Sequence, residues 1–170
     1  MDQEFPSGSE LKEYKKALAT TFGRDGIPPS EVLMEIRKAV FPYDVSILKS
    51  EKSLQRALIK IEAIRNEVIP LMGARDPHYL MKALEVEEIA LVSELYLRAS
   101  LMREESRAGH FRADFPDRNN DKWLCWILAR QDGEKIRFTT KHVPVYKYRI
   151  KLSKYYSDNL TFPNVMKLLS

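Results

Sequence analysis

The chain has 170 residues, 44% of them apolar and 31% charged, which is enough for one sizeable core and too apolar for a disordered chain. Its 28 basic and 24 acidic residues leave a net charge of +4, too evenly mixed to imply a nucleic-acid partner, and no apolar run is long enough to span a membrane or act as a secretory signal. Cys125 is the one cysteine, which excludes an internal disulfide and a cysteine-ligated iron–sulfur cluster, and a reducing, cytoplasmic setting is the simplest reading.

In chain order, residues 1–28 read as a lead-in, with a short helix over Leu11 to Phe22 and an interruption at Gly26, Pro28 and Pro29. From Ser30, Leu33, Ile36, Ala39 and Val40 recur at helical spacing until Pro42 stops them. The connector FPYDVSILK carries apolar residues and should lie against the core. Ser50 then caps a second helix, whose stripe Leu54, Ala57, Leu58, Ile61, Ile64 and Val68 ends before Pro70.

Asp76 and Pro77 mark the start of a third helix, because a side-chain oxygen can satisfy free amides there and proline's missing donor costs nothing at the first position. Its stripe runs through Leu80, Leu84, Leu91, Leu95, Ala99 and Met102, widened by Val86, Ile89, Ala90 and Leu97. So broad an apolar surface suits the central helix of a three-helix arrangement and predicts an element reaching about Ser106. Beyond it, Leu124 to Ala129, the turn Asp132–Gly133 and Lys135 to Thr140 read as a hairpin. A tail follows with Tyr146, Tyr148, Tyr155 and Tyr156, and from Lys141 to Lys154 it carries Lys141, Lys147, Arg149, Lys151 and Lys154 without an acid.

Chemistry concentrates between helix and hairpin, in REESRAGHFRADFPDRNNDKWLCW from Arg103 to Trp126. Arg103 and Arg107 are one helical turn apart, Glu104 and Glu105 are available for bidentate pairs, and Gly109 in the Ala108–Gly109 pair can accept the left-handed conformation that closes a helix. Asp114, Asp117 and Arg118 around Pro116 suit a rigid charged turn, and Trp123 can either lie over an arginine or fill core volume. These residues form either a structural knot of ion pairs pinning helix to hairpin or a surface for a larger partner. His110 titrates near neutrality, yet no oxyanion donors or glycine-rich turn accompany it, so a hydrogen-bonded core role is expected rather than general-base work. His78, His110 and His142 are too far apart in sequence for a metal motif, and Cys125 between two tryptophans reads as buried. No catalytic, cofactor-binding or metal-ligating residue is therefore assigned.

The segment from Glu105 to Trp123 closely resembles ESRGAHxRxDxPxRDDxxW, found near the C-terminus of the flavoprotein family of succinate dehydrogenase, fumarate reductase, adenylylsulfate reductase and L-aspartate oxidase. Glu105, Ser106, Arg107, His110, Arg112, Asp114, Pro116, Arg118 and Trp123 match it. Ala108 and Gly109 invert its Gly-Ala order, and Asn119 and Asn120 replace its paired aspartates, which lowers the negative charge. More diffusely the resemblance runs from Pro29 to about Arg137. It implies a C-terminal three-helix bundle of spectrin-like type, packed in such proteins beside an FAD-binding Rossmann-like domain and a substrate-capping domain, often with an iron–sulfur partner subunit.

The expected fold is thus mainly α, with the bundle over 29–123, a hairpin over 124–140 and an extended basic, tyrosine-rich tail over 141–170. No GxGxxG fingerprint is present, so FAD is expected on a parent or partner protein rather than on this chain. The expected function is a scaffolding and interface domain of such an oxidoreductase, with Glu105, Arg107, His110, Arg112, Asp114, Arg118 and Trp123 as its structural or interface cluster. The alternative is a free-standing helical adaptor that docks a partner through its arginines and basic tail. A weak single-strand nucleic-acid binder would need a continuous cationic footprint that the mixed charge does not supply.

Overall fold

The computed structural model describes Gly8, Lys12, residues 20–133 and residues 135–147. The lead-in helix expected over Leu11 to Phe22 lies largely outside these residues, as does the tail from Tyr148 onward. The described chain is mainly helical, a helical bundle followed by a small antiparallel hairpin. Its helices are α1 (Pro29–Val40), α2 (Tyr43–Ser46), α3 (Glu51–Ala63), α4 (Pro77–Met102) and α5 (Asn120–Trp123), and its strands β1 (Leu48–Lys49), β2 (Phe111–Arg112), β3 (Cys125–Asp132) and β4 (Lys135–His142). The chain divides into two compact units, residues 1–39 with 59–93 and residues 40–58 with 94–170, so α3 and α4 each contribute to both.

In the first unit, α1 buries Pro29, Val32, Ile36 and Ala39, which recur at helical spacing. Leu33 sits at the half-buried margin. Ile61, Ile64, Met72, Ala74, Ala83, Val86 and Ala90 complete the unit's apolar core. After α3 the winding changes, first to a π turn over Ile64–Val68 and then to a 3-10 turn over Ile69–Leu71. Pro70 accounts for this, because it has no N–H to give the carbonyl of Asn66.

The same unit contains a strap not foreseen from the sequence, in which segment 22–27 crosses segment 71–74 through two isolated bridges of parallel type, Phe22–Ala74 and Ile27–Met72. Four backbone bonds hold it: Gly23 N to Ala74 O at 2.7 Å, Ala74 N to Thr21 O at 3.0 Å, Ile27 N to Leu71 O at 2.9 Å and Gly73 N to Ile27 O at 3.1 Å. Gly26 and Gly73 meet at the crossing, where a Cβ on Gly73 would lie 2.4 Å from both Arg24 O and Gly26 N. Gly26 is therefore a point of close backbone approach, a more demanding role than a chain interruption.

Helix α4 starts as its sequence requires, with Asp76 Oδ1 accepting from Tyr79 N at 2.9 Å and Pro77 at the first position. Its most buried seam is Ala83, Val86, Ala90, Ser93, Leu97 and Ser100, separated by three and four residues in alternation. The leucine stripe read from the sequence, Leu80, Leu84, Leu91 and Leu95, is half-buried beside it, and Ile89 is exposed. Small residues occupy the centre of such a seam because they allow the closest approach of backbone, while larger neighbours reach around them.

In the second unit, Ser50 and Ser53 form the reciprocal cap of α3, Ser50 N donating to Ser53 Oγ at 3.0 Å and Ser53 N to Ser50 Oγ at 3.3 Å. Leu54 and Ala57 are buried behind it. The connector does pack inward, through Val45 and Lys49, although Phe41, Tyr43 and Ile47 face solvent. It forms α2 and then β1, which pairs in parallel with β2 in the register Leu48–Phe111 and Lys49–Arg112. The hairpin runs from Cys125–His142 to Asp132–Lys135, and Gly133, with φ 60°, opens its turn. It extends two residues beyond the expected end at Thr140.

Candidate functional site

The expected charged cluster lies in the second unit and is built on the C-terminal end of α4. That helix ends at Met102, not near Ser106. Ser106 instead latches the loop, its hydroxyl accepting from Arg112 N at 2.9 Å and donating to Phe115 O at 2.9 Å. Arg107 and His110 exchange backbone bonds of 2.7 and 2.9 Å around Ala108 and Gly109, a tight reverse turn. The left-handed residue in it is Ala108, with φ 49°, rather than Gly109. The inverted Ala-Gly order therefore places a side chain where glycine is favoured.

Two ion-paired centres follow. The first surrounds Glu105, which is fully buried. Arg107 holds it in a fork, Nε to Oε1 at 2.8 Å and Nη2 to Oε2 at 3.0 Å, while Arg103 Nη1 reaches Oε1 at 2.6 Å and Asn119 N donates to Oε2 at 2.9 Å. Arg103 also donates to Trp123 O at 3.0 Å and Cys125 O at 2.8 Å and lies 5.4 Å from the Trp123 ring, tying the helix end to the start of β3. Trp123 thus does both things open to it, covering a guanidinium and filling buried volume, and its Nε1 has no hydrogen-bond partner. Arg107 Nη2 bonds Asn120 Oδ1 at 2.7 Å, and Asn119 Oδ1 caps α5 by accepting from Lys122 N at 2.9 Å. Both asparagines therefore keep acceptor roles without adding charge. Glu104 is not held by an arginine among these contacts; it pairs with Lys122.

The second centre is Arg112, 1% exposed, whose Nε and Nη2 take both oxygens of Asp114 at 2.8 Å. Its Nη1 donates to the carbonyls of Ser100, Leu101 and Arg103 at 2.8, 3.2 and 3.3 Å, which are free acceptors at the end of α4. Asp114 Oδ2 in turn accepts from Glu51 N at 2.8 Å, the first amide of α3. One ion pair thus places a cation at a helix C-terminus and an anion at a helix N-terminus, each the favourable sign for the helix dipole. The Phe115 ring lies 4.9 Å from the same guanidinium.

The electrostatics follow from this geometry. Burial pushes Glu105 up, but Arg107, the Asn119 amide and Arg103 outweigh it and hold its carboxyl below the usual range. Asp114 is lowered first by Arg112, against burial and with help from the Glu51 amide. Burial above all lowers His110; the Arg103 carbonyl opposes this, and the charges of Lys49, Arg103 and Arg112 add to it. Its ring is therefore neutral at pH 7, with Nε2 3.3 Å from Arg103 O. That is a half-buried structural imidazole wedged between the two centres.

Of the expected residues, Glu105, Arg107, His110, Arg112, Asp114 and Trp123 come together here, and Arg118 is half-buried in the same loop. Lys49 was not foreseen: it is 1% exposed, donates to Ser46 O at 2.9 Å and Gly109 O at 3.4 Å, and has the Tyr96 ring 5.9 Å away. Nothing local in the sequence marks it. The cap at Asn119 did have a signal, an asparagine before a short polar run. Among the described residues no group of three or more His, Cys, Asp or Glu could hold a metal ion.

The model of the family described as "Fumarate reductase flavoprotein C-term" matches residues 38–155, most of the chain and the whole of this loop. The chain belongs to this family. It is 36% identical over 116 residues to a subunit of the fumarate reductase (CoM/CoB) of Methanothermobacter marburgensis, a match covering 65% of this chain and 21% of that protein. To L-aspartate oxidase of Acinetobacter baylyi it is 34% identical over 83 residues, covering 49% and 15%. A solved quinol-fumarate reductase with menaquinol molecules shares the fold with a TM-score of 0.72 over 89% of this chain and 27% of that chain, at 16% identity. The chain thus spans only a small part of the curated relatives it matches.

The described residues do not form a Rossmann-type cradle for the phosphates of FAD. Such a cradle needs a strand leading through a glycine-rich turn into a helix whose N-terminus meets the phosphates. Here the one strand that feeds a long helix, β1, reaches α3 through Ser50, and that helix N-terminus is already taken by Ser53 and Asp114.

Proposed function

We propose that this chain serves as the C-terminal helical domain of an FAD-dependent oxidoreductase of the fumarate reductase and succinate dehydrogenase type. It scaffolds and contacts an FAD-binding domain or subunit, where the flavin chemistry takes place, and it can sit beside an iron–sulfur subunit. The family match over 38–155 carries this reading. The loop supports a fastening role: the guanidiniums of Arg103, Arg107 and Arg112 are engaged by Glu105, Asp114 and backbone carbonyls, leaving them little to offer as an adaptor's docking surface. On this reading 29–123 is the bundle and the hairpin that follows it ends at His142. A cytoplasmic setting accords with the unpaired, buried Cys125. No helix among the described residues is long and apolar enough to cross a membrane.

The test is titration of the chain with FAD, followed by flavin fluorescence. No stoichiometric quenching is expected from the chain alone, and quenching is expected once a family FAD-binding domain is added and co-elutes with it. Tight one-to-one FAD binding by the chain by itself would overturn the reading.

A further inference from the structure

The hairpin has two unlike faces. Because the strands pair in the register Cys125–His142, Trp126–Lys141, Ile127–Thr140, Leu128–Thr139, Ala129–Phe138 and Arg130–Arg137, directly opposed residues share a face. One face gathers Cys125, Ile127, Ile136 and Phe138, which are buried or half-buried. The other gathers Trp126, Leu128, Arg130, Arg137 and Lys141, all exposed, with Trp126 at 42% and Leu128 at 44%. A tryptophan and a leucine on the solvent side of a short hairpin form an apolar strip that folding alone does not call for.

The charges on that strip are stranger still for folding. Arg130 lies directly across from Arg137, and like charges in such a pair weaken a hairpin. Asp132 engages Arg137, whereas no described carboxylate lies against Arg130. Lys141 stands opposite Trp126, so the apolar strip is bordered by cations at both ends. With Arg137 held by Asp132 on the same face, Arg130 is the guanidinium placed to take an external carboxylate in the planar geometry that arginine favours.

We propose that the Trp126 face of the hairpin is a docking surface for an acidic segment of another protein, with Trp126 and Leu128 taking an apolar anchor and Arg130 and Lys141 taking its carboxylates. The charge pattern selects the occupant, since the strip is complementary to acidic side chains interrupted by an apolar one. A second copy of this face would bring cations against cations and is disfavoured.

The experiment uses the full chain and a short dye-labelled probe peptide in which glutamate alternates with leucine, monitored by the fluorescence anisotropy of the dye. Saturable binding that weakens with salt is expected, with Arg130→Glu and Trp126→Ala each weakening it at least about tenfold and Lys38→Glu, on α1, leaving it unchanged. Arg130→Glu separates binding from folding, because it replaces the opposed like charges with an ion pair. Its melting temperature should rise while its affinity falls. Undiminished binding by Arg130→Glu would overturn the proposal. So would tighter binding of oligo-dT or of phosphatidylserine vesicles than of the peptide, since either would make the strip a site for another class of polyanion.

Discussion

At the scale of single residues, Ala108 is the plainest conflict between local sequence and local structure. A left-handed φ of 49° brings its Cβ toward the following carbonyl, a strain glycine does not have. The next residue is Gly109, whose own φ is not left-handed and beside which an added Cβ would meet nothing within 4 Å. Exchanging the two restores the order found in the family motif and suits both positions. Ala108→Gly should raise the unfolding free energy by about 0.5–1 kcal/mol, the relief of strain outweighing the entropy that glycine adds to the unfolded chain. Gly109→Ala should add about 0.5 kcal/mol more by stiffening that chain. Urea unfolding of the single and double variants checks this, and a double variant less stable than the parent would show that the turn does not set the cost.

At the scale of elements, the strap between segments 22–27 and 71–74 depends on the absence of side chains at Gly26 and Gly73. Gly73→Ala would put a methyl against backbone atoms of Arg24 and Gly26, which cannot rotate aside, so the strap must part. A loss of about 2–3 kcal/mol is expected, with faster proteolytic cleavage near Arg24. An unchanged denaturation midpoint would mean the two segments contribute nothing to stability. This strap was invisible in the sequence because it joins distant residues through backbone alone. The helices were legible where punctuation and period agree, as at Asp76–Pro77 and Ser50. The deepest seam of α4 was only half legible: Val86, Ala90 and Leu97 were read as apolar surface, whereas Ala83, Ser93 and Ser100 carry a weak hydrophobic signal beside larger leucines with a strong one. In the charged loop the motif identified its members, but the split into one centre on Glu105 and another on Arg112 depends on Asn119, Glu51 and the carbonyls of α4, which no spacing rule selects.

At the scale of the whole molecule, the three titrating groups of the charged loop, His110, Glu105 and Asp114, make stability depend on pH with one sign. His110 is lowered in the folded state, so both states are neutral above about pH 6.5, and below that the unfolded chain takes up the proton first. Stability is therefore fully present above that pH and declines as pH falls toward the lower folded value. Glu105 and Asp114 are also lowered, so the stability their ion pairs contribute is present above about pH 4 and is lost as pH falls through their folded values. Two successive declines on acidification are expected, a shallow one below about pH 6.5 and a steep one below about pH 4. Urea midpoints measured from pH 8 downward should show the shallow decline in the parent and lose it in His110→Gln, which keeps a side-chain donor for Arg103 O but cannot titrate there. If the variant kept the same slope between pH 7 and pH 5, the imidazole would not be the group that titrates, and the wedge between the two arginine centres would be indifferent to its charge.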